Sequence, residues 1–515
     1  MTTVLHILHQ ISPGGGSRAA IHVASESSRQ SPGLCHRLVS LTPANPQALN
    51  LAQSAGLTVL NTPSAETLWA EIAAADVVHV HFWNTPELYQ VLSSDLPPCR
   101  LVVWVHIAGD SVPQVIIPEL IEYADFVVAC SPYTARHPAF QSALADQKTT
   151  MILAGCDPHR LSGFSRQPQS TFTVGYIGTV DFIKLHPDFI RLHDEIDLPE
   201  VKVVIVGTGA SFKRVQSQIQ QAQHPERFVL SGQVEDVTSV FEQLDVFGYP
   251  LCPENYAAAE LVLQEAMLAG VPPVIFPYGG ARDLVVDGQT GLIVASEADY
   301  PKAIERLYFD RELRERLGTN AQLHAHQFFG ADKTATQFNR LYQQLMERPK
   351  QERLALDTLL ERHQPAAWQA LKARFPGAVS FLSSLGASAS AFQTSFVSSD
   401  VNEQLAAESE IAASSPVVCN ANGGGIWHYR ACFPTDGYLR LWSGLTLENH
   451  GRVALAVAEL TKAWEFGCRH WRVQWYLARA ATRAGATELA EKALQLVRES
   501  RQSGPGVITG MRDEG

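Results

Sequence analysis

Two Rossmann-like α/β domains facing each other across a cleft, followed by an α-helical region, are what this 515-residue chain predicts. Three observations carry the prediction. Short apolar runs alternate with helix-period segments as far as about residue 345. Several runs, VVHVHF and LVVWVH among them, are apolar almost throughout, as parallel strands covered on both faces must be. A proline- and serine-rich break at Leu161–Ser170 (LSGFSRQPQS) divides the alternation into two series.

The first series, in a domain spanning 1–165, predicts strands at Val4–His9, Arg37–Leu41, Thr58–Leu60, Val77–Phe82, Leu101–His106, Phe126–Cys130 and Thr150–Leu153. Arg18–Arg29 and Glu66–Ala75 fit helices between them. The second, spanning 171–346, predicts strands at Thr173–Ile177, Val201–Val206, Phe228–Leu230, Asp245–Tyr249, Pro273–Phe276 and Leu292–Val294. A helix near Ala258–Ala269 and a helix-rich stretch, Tyr300–Met346, complete it.

Beyond it, 347–425 begins charged and helix-prone. Pro376–Gly425 then holds no lysine or arginine and eleven serines, the composition of a linker or a loosely packed cap. In 426–504, Gly444, Leu447, Gly451, Ala456 and Leu460 return 34 residues later as Ala478, Ala481, Gly485, Ala490 and Leu494. That period resembles tetratricopeptide repeats, at 437–470 and 471–504. A partner-binding module and a plain helical hairpin both fit it.

Composition excludes some classes. A net charge of −12 and a pI near 5.8 argue against nucleic acid as partner. Eight cysteines without a CxxC pair predict free thiols in a reducing compartment. No leader pattern and no run of 18 apolar residues is present, so a cytoplasmic protein is expected. Residues 1–170 hold eight basic against twelve acidic residues, which leaves only a local patch for peripheral attachment at the inner membrane face.

The chemistry concentrates at strand ends. Gly14, Gly15 and Gly16 follow the first strand and let the backbone approach a diphosphate or sugar. The stretch Pro250–Pro273, PLCPENYAAAELVLQEAMLAGVPP, sets a loop and a helix N-terminus at a strand's carboxyl end, where free N–H groups and the helix dipole favour anions. Glu260 falls near the mouth of that helix and Glu265 deeper. Glu260 alternatively only offsets the helix dipole. Gly207 and Gly209 form a weaker GxG turn. His106 closes LVVWVH and is the first choice for a hydrogen bond to a sugar; His79, His81 and Asp110 are rivals or helpers. No metal-ligand spacing, HExxH or GxSxG motif is present, and no metal or other cofactor is expected.

Glu265-Ala266-Met267 with Gly270-Val271-Pro272, the glycine loop and Lys184 together resemble the GT-B glycosyltransferases of the retaining family 4, over about residues 1–345. The resemblance implies a GT-B fold and transfer of a sugar from a nucleotide-diphosphate donor to an unknown saccharide, lipid or protein acceptor, with retention and without metal. It implies catalytic roles for His106, Lys184 and Glu260. The implied donor-binding set is Gly14, Gly15, Gly16, Thr179, Lys184, Gly207, Gly209, Val234, Glu260, Leu261, Val262 and Glu265, with Glu265 on the ribose hydroxyls. Thr179 stands where the family has an arginine, and Ala257 where it has its first glutamate, so Glu260 either takes over the donor-sugar contact or leaves that role vacant. A degenerate scaffold, binding a sugar nucleotide and recruiting a protein partner through the helical tail, is the alternative.

Overall fold

The computed structural model describes residues 1–142, 145–161, 163–165, 170–234, 236–256, 258–361 and 367–502. They form two compact units. One comprises 1–83, 96–111 and 120–353; the other comprises 84–95, 112–119 and the chain from 354 onward.

The first unit holds two parallel sheets. The seven-stranded sheet runs Thr58–Asn61, Leu34–Ser40, Thr2–Leu8, Val77–Phe82, Leu101–Val105, Phe126–Ala129, Thr149–Met151. The six-stranded sheet runs Phe228–Gly232, Val201–Val206, Phe172–Ile177, Val246–Tyr249, Pro273–Ile275, Leu292–Ile293. Every expected strand is present, with ends within two residues except at Leu34–Ser40, which begins three residues before the expected Arg37. In both sheets the order reverses beside the first strand, opening a crevice at the strands' carboxyl ends. Strands such as Val77–Phe82 and Leu101–Val105 are buried at every residue, which fits their near-continuous apolar runs. Helices Asp299–Phe309, Arg311–Phe328 and Ala331–Met346 follow, and the last packs on Gly15–Gln30 of the first half.

In the second unit, Pro376–Gly425 departs from the linker expectation. Helices Pro376–Leu385, Ser390–Val397 and Val401–Ala412 pack into a core around Phe381, Phe392, Tyr429 and Trp442. Its charge-poor, serine-rich composition reflects burial and close helix approach: Ser383, Ser384 and Ser395 are themselves buried. Two helical hairpins follow, Gly437–Asn449 with Val453–Glu465 and Trp471–Arg483 with Thr487–Gln502. Gly451 and Gly485 turn the two hairpins with the same φ of 74°. The short segments 84–95 and 112–119 are part of this unit: Asn84 Nδ2 donates to Ser384 O at 2.9 Å, and Tyr89 donates to Asp357 at 2.7 Å. Among the described residues, no helix is long and apolar enough to cross a membrane.

Candidate functional site

The glycine loop caps helix Gly15–Gln30, with Gly14 as its extended N-cap. A Cβ on Gly16 would lie 2.8 Å from Trp83 Nε1, so the indole of the neighbouring strand end requires glycine there. A Cβ on Gly15 would lie 3.8 Å from Leu261 Cδ1. The glycine loop of the first sheet thus faces the first residue of helix Leu261–Leu268 beyond the second. Ala108 N donates to Tyr256 O at 3.2 Å, a further link across the crevice.

Three turns at the edge of the second sheet interlock through backbone alone. Gly178 N donates to Val206 O, Val180 N to Thr208 O, and Gly207 N to Gly232 O. A Cβ on Gly207 (φ 135°) would sit 1.8 Å from Gly178 O, and one on Gly209 would sit 2.4 Å from Val180 O. These two glycines are therefore demanded by packing, whatever else approaches them. Thr179 O accepts from the buried Tyr176 hydroxyl at 2.8 Å, and Val234 is half-buried against the core.

Lys184 reaches Glu260 at 2.9 Å, with Lys184 13% and Glu260 5% exposed, and its Nζ stands 5.5 Å from the Tyr249 ring centroid. Tyr249 also donates to the Glu260 carboxylate. Burial and that carboxylate push the Tyr249 phenol well above its ordinary pKa. Glu260 occupies the left-handed region (φ 36°) and makes no side-chain cap on the helix it precedes. Its carboxylate is turned to Lys184 instead. Leu261 is buried and Val262 half-buried at the helix start. Ala257 lies outside the described residues.

Glu265 is fully buried and accepts from two arginines to which no sequence motif points. Arg18, from the helix after the glycine loop, donates to Oε1, and Arg160 donates to both oxygens at 2.8 and 3.0 Å. Desolvation, then the neighbouring Arg160 charge, push the Arg18 guanidinium down to about 9. The Glu265 carboxylate thus holds two guanidiniums, and the Asp157 carboxylate acts on both of them as well. Gln264 ties the same helix to the connection between the two sheets, accepting from Cys156 N at 3.0 Å and donating to Ala154 O at 2.9 Å.

His106 stands beside the glycine loop, its Cγ 3.6 Å from where a Cβ on Gly16 would lie. Its Nε2 meets His81 Nδ1 at 3.0 Å. His81 Nε2 meets His6 Nδ1 at 2.9 Å, and His6 Nε2 meets His36 Nδ1 at 2.8 Å. Burial lowers every one of these imidazoles, His106 to about 3 and His36 to about 4, so all are neutral near pH 7. His79 is fully buried and pairs with the Tyr342 hydroxyl at 2.7 Å. Asp110 is exposed and accepts from Tyr133 at 2.6 Å.

Three groups among the described residues bring possible metal ligands within 4.8 Å: His6, His79 and His81; Glu87, His428 and Cys432; His186, Asp188 and Glu297. Both ring nitrogens of His6 and His81 are engaged by other histidines. His428 Nδ1 accepts from Gly424 N, and His186 Nδ1 from Asp188 N, both at 3.2 Å. In each, the proton is on Nε2, which points at a carboxylate.

Residues 161–324 match the family model described as Glycosyl transferases group 1. The D-inositol 3-phosphate glycosyltransferase of Corynebacterium aurimucosum is 25% identical over 308 residues, covering 53% of this chain and 72% of that protein. Its counterpart in Stackebrandtia nassauensis is 23% identical over 291 residues, covering 49% of this chain and 65% of that protein. Among solved structures, Anabaena Alr3699/HepE in complex with UDP-glucose matches with a TM-score of 0.56 at 20% identity, over 67% of this chain and 100% of that one. A glycosyltransferase from Rickettsia africae matches with a TM-score of 0.55 at 13% identity, over 67% of this chain and 99% of that one. The fold of the matched two-thirds is GT-B.

Proposed function

We propose that this chain is a glycosyltransferase that moves a sugar from a nucleotide-diphosphate donor to an acceptor hydroxyl, with retention of configuration and without a metal ion. The carrying observation is the apposition of Gly15 and Leu261, which aims a helix N-terminus at a glycine loop with Lys184 and Glu260 beside it. A diphosphate placed there would meet backbone N–H groups and a cation. The group 1 match supports the same reading for residues 161–324.

As the bond from the anomeric carbon to the diphosphate oxygen breaks, negative charge grows on the leaving group. Lys184 then exchanges Glu260 for that diphosphate. The acceptor oxygen bonds the anomeric carbon on the same face, and its proton passes to the leaving phosphate oxygen. The second cation, absent at Thr179, comes from the Arg18–Arg160 pair. Glu265 reaches a ribose hydroxyl once Arg18 swings from it toward the phosphates, so donor entry and release of that contact are linked.

The test is a thermal-shift series with UDP-, GDP- and ADP-sugars in the presence of EDTA, on the wild type and Lys184→Ala. One nucleotide class is expected to stabilise the wild type, by about 2.7 kcal/mol at a hundredfold excess over Kd, and the variant much less. No shift with any nucleotide at millimolar concentration overturns the proposal.

A further inference from the structure

The histidine chain behind His106 has a fixed direction, and it can be read from a main-chain anchor. Gln30 Nε2 donates to the carbonyl of Asp332 at 2.8 Å, so Gln30 Oε1 faces the other way, where it accepts from Thr336 Oγ1 at 3.0 Å and Asn339 Nδ2 at 3.4 Å. Asn339 Nδ2 also faces Ser31 Oγ at 3.3 Å. Asn339 Oδ1 therefore points to Ser27, and Ser27 donates its only hydroxyl proton to it. His36 Nε2, 2.8 Å from Ser27 Oγ, has to donate. A neutral imidazole carries one N–H, so His36 Nδ1 accepts from His6 Nε2, His6 Nδ1 from His81 Nε2, and His81 Nδ1 from His106 Nε2.

We infer that this relay fixes His106 as the Nε2–H tautomer, leaving its Nδ1 an obligate acceptor that selects donors presenting a hydroxyl and rejects those presenting a carboxylate at the same place. Ser27, His36, His6 and His81 are then positioning residues. A sugar hydroxyl donates to Nδ1; a uronate carboxylate would set two acceptors against each other with no proton between them. Behind His106 the relay is closed to water, with His6 and His81 0% and 1% exposed, so no solvent partner reverses its direction.

The selectivity rests on the proposed transferase reading; the tautomer does not, and two measurements separate them. Two-bond nitrogen–proton correlations on protein labelled with ¹⁵N-histidine, with His106 identified by its loss in His106→Gln, report the tautomer without substrate. The wild type is expected to show Nε2 protonated and Nδ1 bare, Ser27→Ala a mixture, and Ser27→Thr the wild-type pattern again. Nδ1 protonated in the wild type, or a pattern unmoved in Ser27→Ala, overturns the inference; if Ser27→Ala fails to fold, the wild-type spectrum still decides. Binding of paired hexose and uronate nucleotide donors then reads selectivity, expected to favour the hexose by roughly tenfold or more and to weaken in Ser27→Ala. Equal binding of the pair overturns the selective role. No nucleotide binding at all removes the transferase reading, while the tautomer is judged by the spectrum alone.

Discussion

Replacing Lys184 with alanine strands the Glu260 carboxylate in a site where only 5% of it is exposed, and breaking a buried pair in this way costs about 3–5 kcal/mol. Removing both partners takes the uncompensated charge away. The double variant Lys184→Ala/Glu260→Ala is therefore expected to unfold at a higher temperature than Lys184→Ala, a non-additivity that paired melting curves measure. Buried histidines give a second expectation. Their native pKa values are depressed, to about 3 at His106 and about 4 at His36, His22 and His193. The unfolded chain then binds more protons than the native one at any pH below about 6.5. The stability these groups contribute is complete above that pH and is lost as pH falls toward the native values. Calorimetry should show the melting temperature declining between about pH 6.5 and 5, before most carboxylates titrate. His36→Gln should make the decline shallower by up to about 1.4 kcal/mol per pH unit.

At the scale of elements, glycines separate packing from conformation. Gly207→Ala would drive a Cβ into Gly178 O and should destabilise by about 3 kcal/mol or more, read as a fall in melting temperature. Gly451 and Gly485 share a left-handed φ of 74° with nothing within 4 Å, so alanine at either should cost only about 1–2 kcal/mol, and the same at both. What the sequence revealed follows the same division. Parallel strands were legible because burial on two faces forces near-continuous apolar runs. The helix expected near Ala258–Ala269 was legible from its place after a strand, and it begins at Leu261. Pro376–Gly425 was not, since buried serine-rich helices and a flexible linker share one composition, although Phe381, Leu382, Phe392 and Phe396 lie in the core. Arg18 and Arg160 stand 247 and 105 residues from Glu265, and no local pattern announces such a meeting. The histidine relay is set by strand register, which places His6 opposite His79 and brings His36 and His81 to either side.

Across the whole molecule, Glu265 joins Arg18 of the first sheet's domain to the second sheet's domain, with Arg160 in the connection. Glu265→Gln should remove the carboxylate that both guanidiniums grip and raise the susceptibility of the connection around Arg160 to limited proteolysis. Unchanged cleavage would mean that other crevice contacts suffice. The second unit draws segments 84–95 and 112–119 out of the first half of the sequence, where Leu88, Tyr89 and Leu92 are buried. A chain ending at Arg353 should therefore aggregate, and co-expression of 354–515 should recover soluble protein. During synthesis, the ribosome releases Pro86–Leu92 long before Asp357 or His428 exists to receive it. The newborn chain must carry that apolar helix unpaired through more than half of translation, which makes the early segments a natural client for a chaperone and makes completion of the carboxyl end the event that retires it.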